Sequence, residues 1–200
     1  MEKKTPVIIS IDEIKETIDG YNPKMAGKFH LESAKKADKI FQDVVKNSQI
    51  ENVILLAGGS ASGKTEYIHT YLEEDKAIIF DSTLPTLEGA EIKIKLCQKY
   101  SKKVEVILIL PDNLQTVYAI FLSRDRVIEN EVFIRTHSNS RKTVLQLVSR
   151  DDIRIRIVES SLVNNKVNYK EIEFDSRLKM IEYLGEMQYS EEEIRKLIQP

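Results

Sequence analysis

Residues 51–66 read ENVILLAGGSASGKTE, and this stretch decides the fold. It opens with an apolar run at residues 53–57, which has the length of one buried strand. Residues 58–65 then match G-x-x-x-x-G-K-[S/T], the pattern of a phosphate-binding loop. Helix-forming residues follow, so a helix is expected from near Gly63 to about Glu74. The order strand, loop, helix predicts a nucleotide-binding site.

The residue types in this loop suit a polyphosphate ligand. Glycine at positions 58 and 63 lets the backbone turn tightly and point successive N–H groups at phosphate oxygens. Lys64 supplies a cation for the β- and γ-phosphates, and the Thr65 hydroxyl is a magnesium ligand. The helix that starts here adds the positive end of its dipole. We therefore expect ATP and Mg2+ as cofactors, bound by the whole loop: Gly58, Gly59, Ser60, Ala61, Ser62, Gly63, Lys64 and Thr65.

The composition is that of an ordinary globular chain. Of the 200 residues, 42% are apolar and 31% are charged, which suits one domain with a sizeable core. A net charge of −2 disfavours a nucleic-acid-binding surface. No apolar run approaches the roughly 20 residues of a membrane helix, and the first residues lack the apolar core of a signal peptide. Cys97 is the single cysteine and cannot form an internal disulfide, so a cytoplasmic location is expected.

Strands alternate with helices along the chain. Apolar strands are expected at residues 77–80 and 104–110, and a long amphipathic helix at residues 30–47 precedes the phosphate loop. The alternating pattern at residues 153–158 indicates a half-exposed strand that forms a hairpin with residues 167–174. Together these elements predict a three-layer α/β/α P-loop NTPase fold with a mainly parallel sheet, extra N-terminal helices and a C-terminal hairpin.

The chain is expected to form one compact domain in two parts. Residues 1–50 form a helical segment that packs on the core, and residues 51–200 form the nucleotide-binding core with kinase-like features. The other expected features are a capping box at 10–13 that opens a short helix, a loop at 21–28, helices at 85–100 and 111–128, an irregular polar stretch at 129–140 and a shorter helix at 141–148.

Asp81 is the first candidate for chemistry outside the loop. It follows a strand of four apolar residues, which is the form of a Walker B acid. Such an acid holds magnesium through water or accepts the proton of an attacking hydroxyl. The alternative is a turn-forming aspartate that caps the next helix. A functional role is favoured because the strand end should lie beside the phosphate loop, where ligands of parallel sheets bind. Thr65 and Asp81 are thus the expected metal ligands.

Arginines crowd the segment that follows the third strand. Phosphoryl transfer needs cations over the transferring group, and a mobile lid is one way to deliver them. Arg124 and Arg135 are the expected catalytic arginines, together with Lys64 and Asp81. The alternative is a solvated salt-bridge surface, because Asp125, Glu129 and Glu131 lie close in sequence. His137 has no partners at metal-ligand spacing and is assigned no role.

Three parts of the sequence resemble the zeta toxin family of P-loop kinases. They are the phosphate loop at 58–65, the strand and acid at 78–84, and the strand at 103–111. The resemblance implies ATP-dependent phosphorylation of a hydroxyl acceptor, a nucleotide sugar such as UDP-N-acetylglucosamine, and an antitoxin protein as a partner. It also implies that Arg124 or Arg126, and Arg135, are the lid arginines.

The chain departs from the family after the phosphate loop. In the family, the loop helix leads to a strand that carries the catalytic aspartate and then to a long substrate-binding segment. Here only residues 66–75 separate Thr65 from the next strand. Residues 30–41 resemble the helix that ends the missing segment, so we hypothesise that this N-terminal helix packs over the cleft on the substrate side.

Two functions fit the sequence. One is an ATP-dependent phosphotransferase in which Asp81 activates the acceptor. The other is a nucleotide-binding regulatory or interaction module that hydrolyses nucleotide slowly or not at all. The missing segment after the phosphate loop and the single evident acid favour the regulatory module. The arginines after the third strand favour the phosphotransferase.

Overall fold

Parallel strands form the centre of the computed structural model, which describes residues 5–126, 128–164 and 166–199. Within these residues the sheet has six strands in the order β1-β3-β2-β4-β5-β6. Neighbouring strands are parallel except for the last pair, β5 and β6, which are antiparallel. The mainly parallel α/β sheet and the C-terminal hairpin are thereby confirmed. The strands are β1 (Val7–Ser10), β2 (Asn52–Ala57), β3 (Ala77–Asp81), β4 (Lys103–Pro111), β5 (Arg154–Val163) and β6 (Lys166–Ile172).

Helices connect these strands and cover the sheet. A 3₁₀ helix at Pro23–Phe29 precedes the long second helix, and a π-helical turn at Ile68–Leu72 continues the third. None of the helices in the described ranges is long and apolar enough to cross a membrane. The α-helices are α1 (Ile11–Glu16), α2 (His30–Asn47), α3 (Lys64–Tyr67), α4 (Leu87–Lys99), α5 (Leu114–Leu122), α6 (Asn130–Leu147), α7 (Arg177–Glu186) and α8 (Glu191–Ile198).

The central strand β2 is buried on both faces, as its continuous apolar sequence predicts. Val53 and Leu55 point to the face covered by α2, α4, α6 and α7. Ile54 and Leu56 point to the opposite face, where α3 and the π-helical turn pack. Helices on both faces give the three layers, and the carboxyl end of β2 leads directly into the phosphate loop.

Strand β1 was not expected from the sequence. It is a four-residue edge strand whose Ile9 and Ser10 pair with Phe80 and Asp81 of β3. Ser10 also caps α1, because its extended backbone ends the strand while its side chain accepts a hydrogen bond from the Glu13 N–H. The helix-start signal therefore overlaps the strand and conceals it. Residues 1–50 contribute a strand to the sheet in addition to helices.

The prediction for residues 129–148 was wrong in one respect. An irregular stretch followed by a short helix was expected, but α6 is a single helix over both. Polar residues normally mark an exposed helix face, yet here they are buried against neighbouring segments. The buried polar residues of α6 are Thr136, His137, Ser138, Ser140, Arg141 and Thr143.

Smaller differences concern where elements begin and end. The predicted loop at 21–28 contains the 3₁₀ helix, and the helix expected at 111–128 spans only α5. Its start is delayed because the Asn113 side chain caps it by accepting from the Thr116 N–H. Similarly, α4 begins after Thr86, whose side chain accepts from the Gly89 N–H. A capping box opens α8, in which the Ser190 and Glu193 side chains each accept a hydrogen bond from the other residue's backbone N–H.

The buried face of α2 generates a test of the packing. Phe41 is 1% exposed and packs edge-to-face on Phe80 of β3, with ring centroids 5.0 Å apart. Phe41→Ala should lower the free energy of unfolding by about 3–5 kcal/mol, because a large side chain is lost from a closed core. Ile40→Ala, on the exposed face of the same helix, should cost less than about 1 kcal/mol. Urea denaturation of both variants measures the difference, and equal losses would contradict this packing.

Candidate active site

The phosphate loop turns at two glycines where other residues would not fit. Gly58 has φ +138°, and a Cβ there would lie 2.6 Å from the carbonyl oxygen of Ile109. Gly63 has φ +91° and is the N-cap of α3. These are backbone conformations that favour glycine. The loop therefore takes a tight path from β2 into the helix, as the motif predicts.

The Lys64 ammonium lies inside this loop. Its Nζ donates hydrogen bonds to the carbonyl oxygens of Gly58 and Gly59, each at 3.0 Å. Burial lowers the pKa of Lys64, and the Asp81 carboxylate opposes that change. The sequence thus places a cation within the loop, beside a carboxylate on the next strand.

Asp81 lies at the carboxyl end of β3, opposite Leu56 of β2 and Ser10 of β1. It is 8% exposed, and the Thr65 side chain lies close enough to its carboxylate to lower the pKa of Asp81. Burial raises the pKa of Asp81, while Lys64 acts in the opposite direction. A hydroxyl and a carboxylate side by side form a hard-oxygen donor set, which fits magnesium.

A cleft of about 1000 Å³ opens in front of the loop. It is lined by the phosphate loop and Asp81, by the N-terminal segment, and by residues around the start of α6. The catalytic residues expected from the sequence all line this cleft, and their roles stay predictions. They are Lys64, Asp81, Arg124 and Arg135, with Thr65 as the second expected metal ligand.

The N-terminal wall carries a carboxylate that the sequence reasoning missed. Asp12 lies 3.0 Å from the Nζ of Lys15 and 2.9 Å from a guanidinium nitrogen of Arg126. Burial would raise the pKa of Asp12, but these two cations outweigh it and lower the pKa to about 2. Asp12 therefore stays ionised in the cleft. Asp12 has the form of an acid that follows a strand, but β1 is not evident in the sequence. Residues 10–13 show only the pattern of a capping box.

The arginines separate into three environments. Arg126 is paired with Asp12. Arg124 and Arg135 line the cleft, and within the described residues neither has a carboxylate oxygen within 4.0 Å of its guanidinium. Burial lowers the pKa of Arg124, and Arg126 adds to the effect. Arg141 lies away from the cleft, with its guanidinium over the Tyr189 ring at 5.7 Å.

His137 was assigned no role from the sequence, yet the structure places it against the phosphate loop. It is fully buried, and its Nε2 lies 2.9 Å from the carbonyl oxygen of Ser60. Burial lowers the pKa of His137 well below its ordinary value, and the nearby Arg141 lowers it further. A lone histidine in a polar stretch carries no sequence signal for such a contact.

Comparison with known proteins supports the fold. No protein-family model and no curated protein sequence matches this chain. A chain of the crystal structure of AvrRxo1-ORF1 with AvrRxo1-ORF2 and ATP is similar over 85% of this chain and 75% of its own, with 11% identity and a TM-score of 0.52.

Two further crystal structures of the same complex were also similar. The one with sulphate ions covers 86% of this chain and 76% of its own, with 11% identity and a TM-score of 0.49. The similarity to the native complex covers 82% of this chain and 74% of the other, with 13% identity and a TM-score of 0.46. At these identities the likeness extends to the α/β fold alone. The resemblance to the zeta toxin family in particular rests on the sequence motifs.

The burial of neutral His137 generates a pH-dependent prediction. Its pKa is lower in the folded than in the unfolded protein, so below about pH 6.5 the unfolded chain binds the extra proton. Above that pH, the ionisation of His137 does not lower the free energy of unfolding. As the pH falls below it, proton binding stabilises the unfolded chain, so the free energy of unfolding decreases. Between pH 7.5 and pH 5.5 wild type should lose about 1 kcal/mol more unfolding free energy than His137→Gln, measured by urea denaturation. Equal pH dependence of the two proteins would contradict a neutral buried histidine.

Proposed function

We propose that this protein is an ATP-dependent phosphotransferase that moves the γ-phosphate of ATP to a hydroxyl of a small acceptor. One observation carries the proposal. The phosphate loop, Thr65 and Asp81 line one cleft together with a second carboxylate, Asp12. A second carboxylate beside the phosphate-binding residues suits a hydroxyl acceptor, because it can bind and orient the attacking oxygen. The likeness of its fold to structures that include an ATP complex is consistent with the proposal.

The phosphate side of the cleft would hold the nucleotide. Backbone N–H groups of the loop and the Lys64 ammonium bind the phosphates, and Thr65 and Asp81 would hold magnesium. Magnesium supplies a charge that bridges the β- and γ-phosphate oxygens. Arg124 and Arg135 are cations without a carboxylate partner among the described residues, so they are available to the transferring group.

The acceptor side would use Asp12. Asp81 is buried near Thr65 and Lys64, which suits the metal, whereas Asp12 follows β1 and lies between Lys15 and Arg126 in the same cleft. The acceptor oxygen attacks the γ-phosphorus and forms the new O–P bond, and the bond to the β–γ bridging oxygen breaks as ADP leaves with its electrons. The hydroxyl proton passes to Asp12 as the O–P bond forms, because the acceptor oxygen becomes acidic enough for this weak base only once it bonds to phosphorus. This division reassigns to Asp12 the base role that the sequence suggested for Asp81.

We propose that the N-terminal segment binds the acceptor, in place of the substrate-binding segment that the zeta toxin family has after its loop helix. The acid-bearing strand expected after the loop helix is matched here by β1 and Asp12, which reach the cleft from the N-terminus. Lys24 and Lys28 also line that wall, and Lys15 is buried in it. These cations favour an acceptor that carries negative charge, and a nucleotide sugar meets that description.

A protein partner is part of the proposal. The structure with a TM-score of 0.52 contains two proteins, AvrRxo1-ORF1 and AvrRxo1-ORF2. An antitoxin-like protein that binds this chain is therefore proposed, in agreement with the family resemblance. Isolation of the native complex followed by identification of its second protein tests this point.

The Lys64 ammonium generates the first functional prediction. Lys64→Ala should weaken the binding of Mg·ATP and lower acceptor-dependent ADP release by at least about a hundredfold, because the phosphate charge is no longer compensated. ADP release is measured with UDP-N-acetylglucosamine and a panel of phosphorylated sugars. Tight ATP binding by wild type without ADP release for any acceptor would favour a regulatory nucleotide-binding module instead.

The two carboxylates generate a second prediction. Asp12→Asn should lower kcat by about 10²–10⁴-fold with little change in ATP affinity, because proton transfer and acceptor orientation are lost. The variant also loses the ion pairs with Lys15 and Arg126, so its melting temperature is measured beside its rate. Asp81→Asn should instead raise the magnesium concentration needed for half-maximal rate. Magnesium titrations of both variants distinguish the roles. An Asp12→Asn variant with the wild-type rate, or an Asp81→Asn variant with the wild-type magnesium dependence, would contradict this assignment.

A further inference from the structure

The second glycine of the phosphate loop is required by a neighbour and not by its own backbone. Gly59 occupies a position that the motif leaves open, and it is not among the glycines with positive φ. A Cβ at this position would nevertheless lie 2.2–2.3 Å from three atoms of the His137 ring. Real Cβ atoms do not approach other atoms so closely, so the ring alone prevents a side chain at position 59. The His137 ring therefore fits in its observed position only because residue 59 is glycine.

The hydrogen bonds of His137 define which ring nitrogen carries the proton. Nε2 lies 2.9 Å from the Ser60 carbonyl oxygen, which can only accept. Nδ1 lies 3.3 Å from NH1 of Arg141, which can only donate. Both contacts require the neutral tautomer with the proton on Nε2. Arg141 is held in place because the same nitrogen donates to the His137 carbonyl oxygen at 2.9 Å.

The neighbouring residue on α6 completes the contact with the loop. The Ser60 N–H donates to the Thr136 hydroxyl oxygen at 3.1 Å, and the two hydroxyl oxygens lie 3.2 Å apart. Both polar backbone groups of Ser60 are thus bound by consecutive side chains of one helix. A loop that is ordered before the ligand arrives loses less conformational entropy on binding.

We infer that His137 is a positioning residue for the nucleotide: as the Nε2–H tautomer it binds the Ser60 carbonyl and, with Gly59 beneath its ring, holds the phosphate loop in its binding conformation. The inference rests on the proposed function only in requiring that the loop binds a nucleotide. It assigns a role in binding to His137, which is not among the residues that line the cleft.

A double-mutant cycle on the pair tests this inference. The four proteins are wild type, Gly59→Ala, His137→Ala and Gly59→Ala/His137→Ala, and the probe is Mg2+ with a non-hydrolysable ATP analogue, measured by calorimetry. Gly59→Ala should lower the melting temperature and weaken binding by about tenfold or more, because the new methyl group displaces the ring. His137→Ala should also weaken binding by about tenfold, because the Ser60 carbonyl is no longer held. The double variant should regain melting temperature relative to Gly59→Ala but should not regain affinity.

Matched controls separate positioning from simple space filling. His137→Gln keeps an N–H donor near the Nε2 position and should bind within about threefold of wild type. His69→Gln alters a histidine on the exposed side of the π-helical turn, paired with Glu73 at 3.1 Å, and should bind as wild type does. Wild-type affinity in His137→Ala or in the double variant would overturn the inference. Failure of wild type itself to bind the analogue would instead overturn the proposed function.

The tautomer can be tested without altering the fold. The chain has three histidines, so ¹⁵N-histidine labelling gives few signals, and His137→Gln identifies the one of interest. The signal of His137 should show a protonated Nε2 and an unprotonated Nδ1. A ring protonated on Nδ1 could not donate to the Ser60 carbonyl and would overturn the inference.

Discussion

The parallel register of β1, β3 and β2 is the constraint on which the site depends. It places Ser10 beside Asp81, and Asp81 beside Leu56, at one edge of the sheet. Because all three strands run in the same direction, whatever follows their carboxyl ends meets in one place. Asp12 follows β1 and the phosphate loop follows β2. A single geometric rule thus brings together segments about 50 residues apart in the chain.

Several charged and polar groups of this protein are buried. Lys64, Asp81 and Arg141 are each withdrawn from water, which costs free energy unless partners offset it. Around the cleft the partners are the loop carbonyls, the Thr65 hydroxyl and opposite charges. Perturbed groups gathered in a cleft mark a functional site more often than a stabilising one. The polar face of α6 belongs to the same pattern, since Thr136 and His137 contact the phosphate loop and Ser138 donates to the Tyr189 carbonyl oxygen.

Much of the fold could be predicted from local patterns, and the failures have identifiable causes. The phosphate loop, the strands around it and the helix α2 carry strong signals in length, apolar content and spacing. Strand β1 is short, and its last residue also begins a helix, so the helix signal dominated. Helix α6 was divided because its buried polar residues resemble an exposed loop. In both cases the sequence describes a local tendency, whereas a partner distant in the chain decides the outcome.

The sequence by itself determined the phosphate loop, the α/β class with its mainly parallel sheet, and the candidate acid at Asp81. These follow from residues that are adjacent in the chain, because turn geometry, strand burial and helix capping are local properties. Only the tertiary structure decided that Asp12 lines the same cleft as the loop, and that the His137 ring lies where a side chain at position 59 would be. Such pairings depend on strand order and helix placement, which no local pattern specifies. The phosphate loop can therefore be identified from the sequence, whereas the positions of Asp12 in the cleft and of His137 against the loop are defined only by the folded chain.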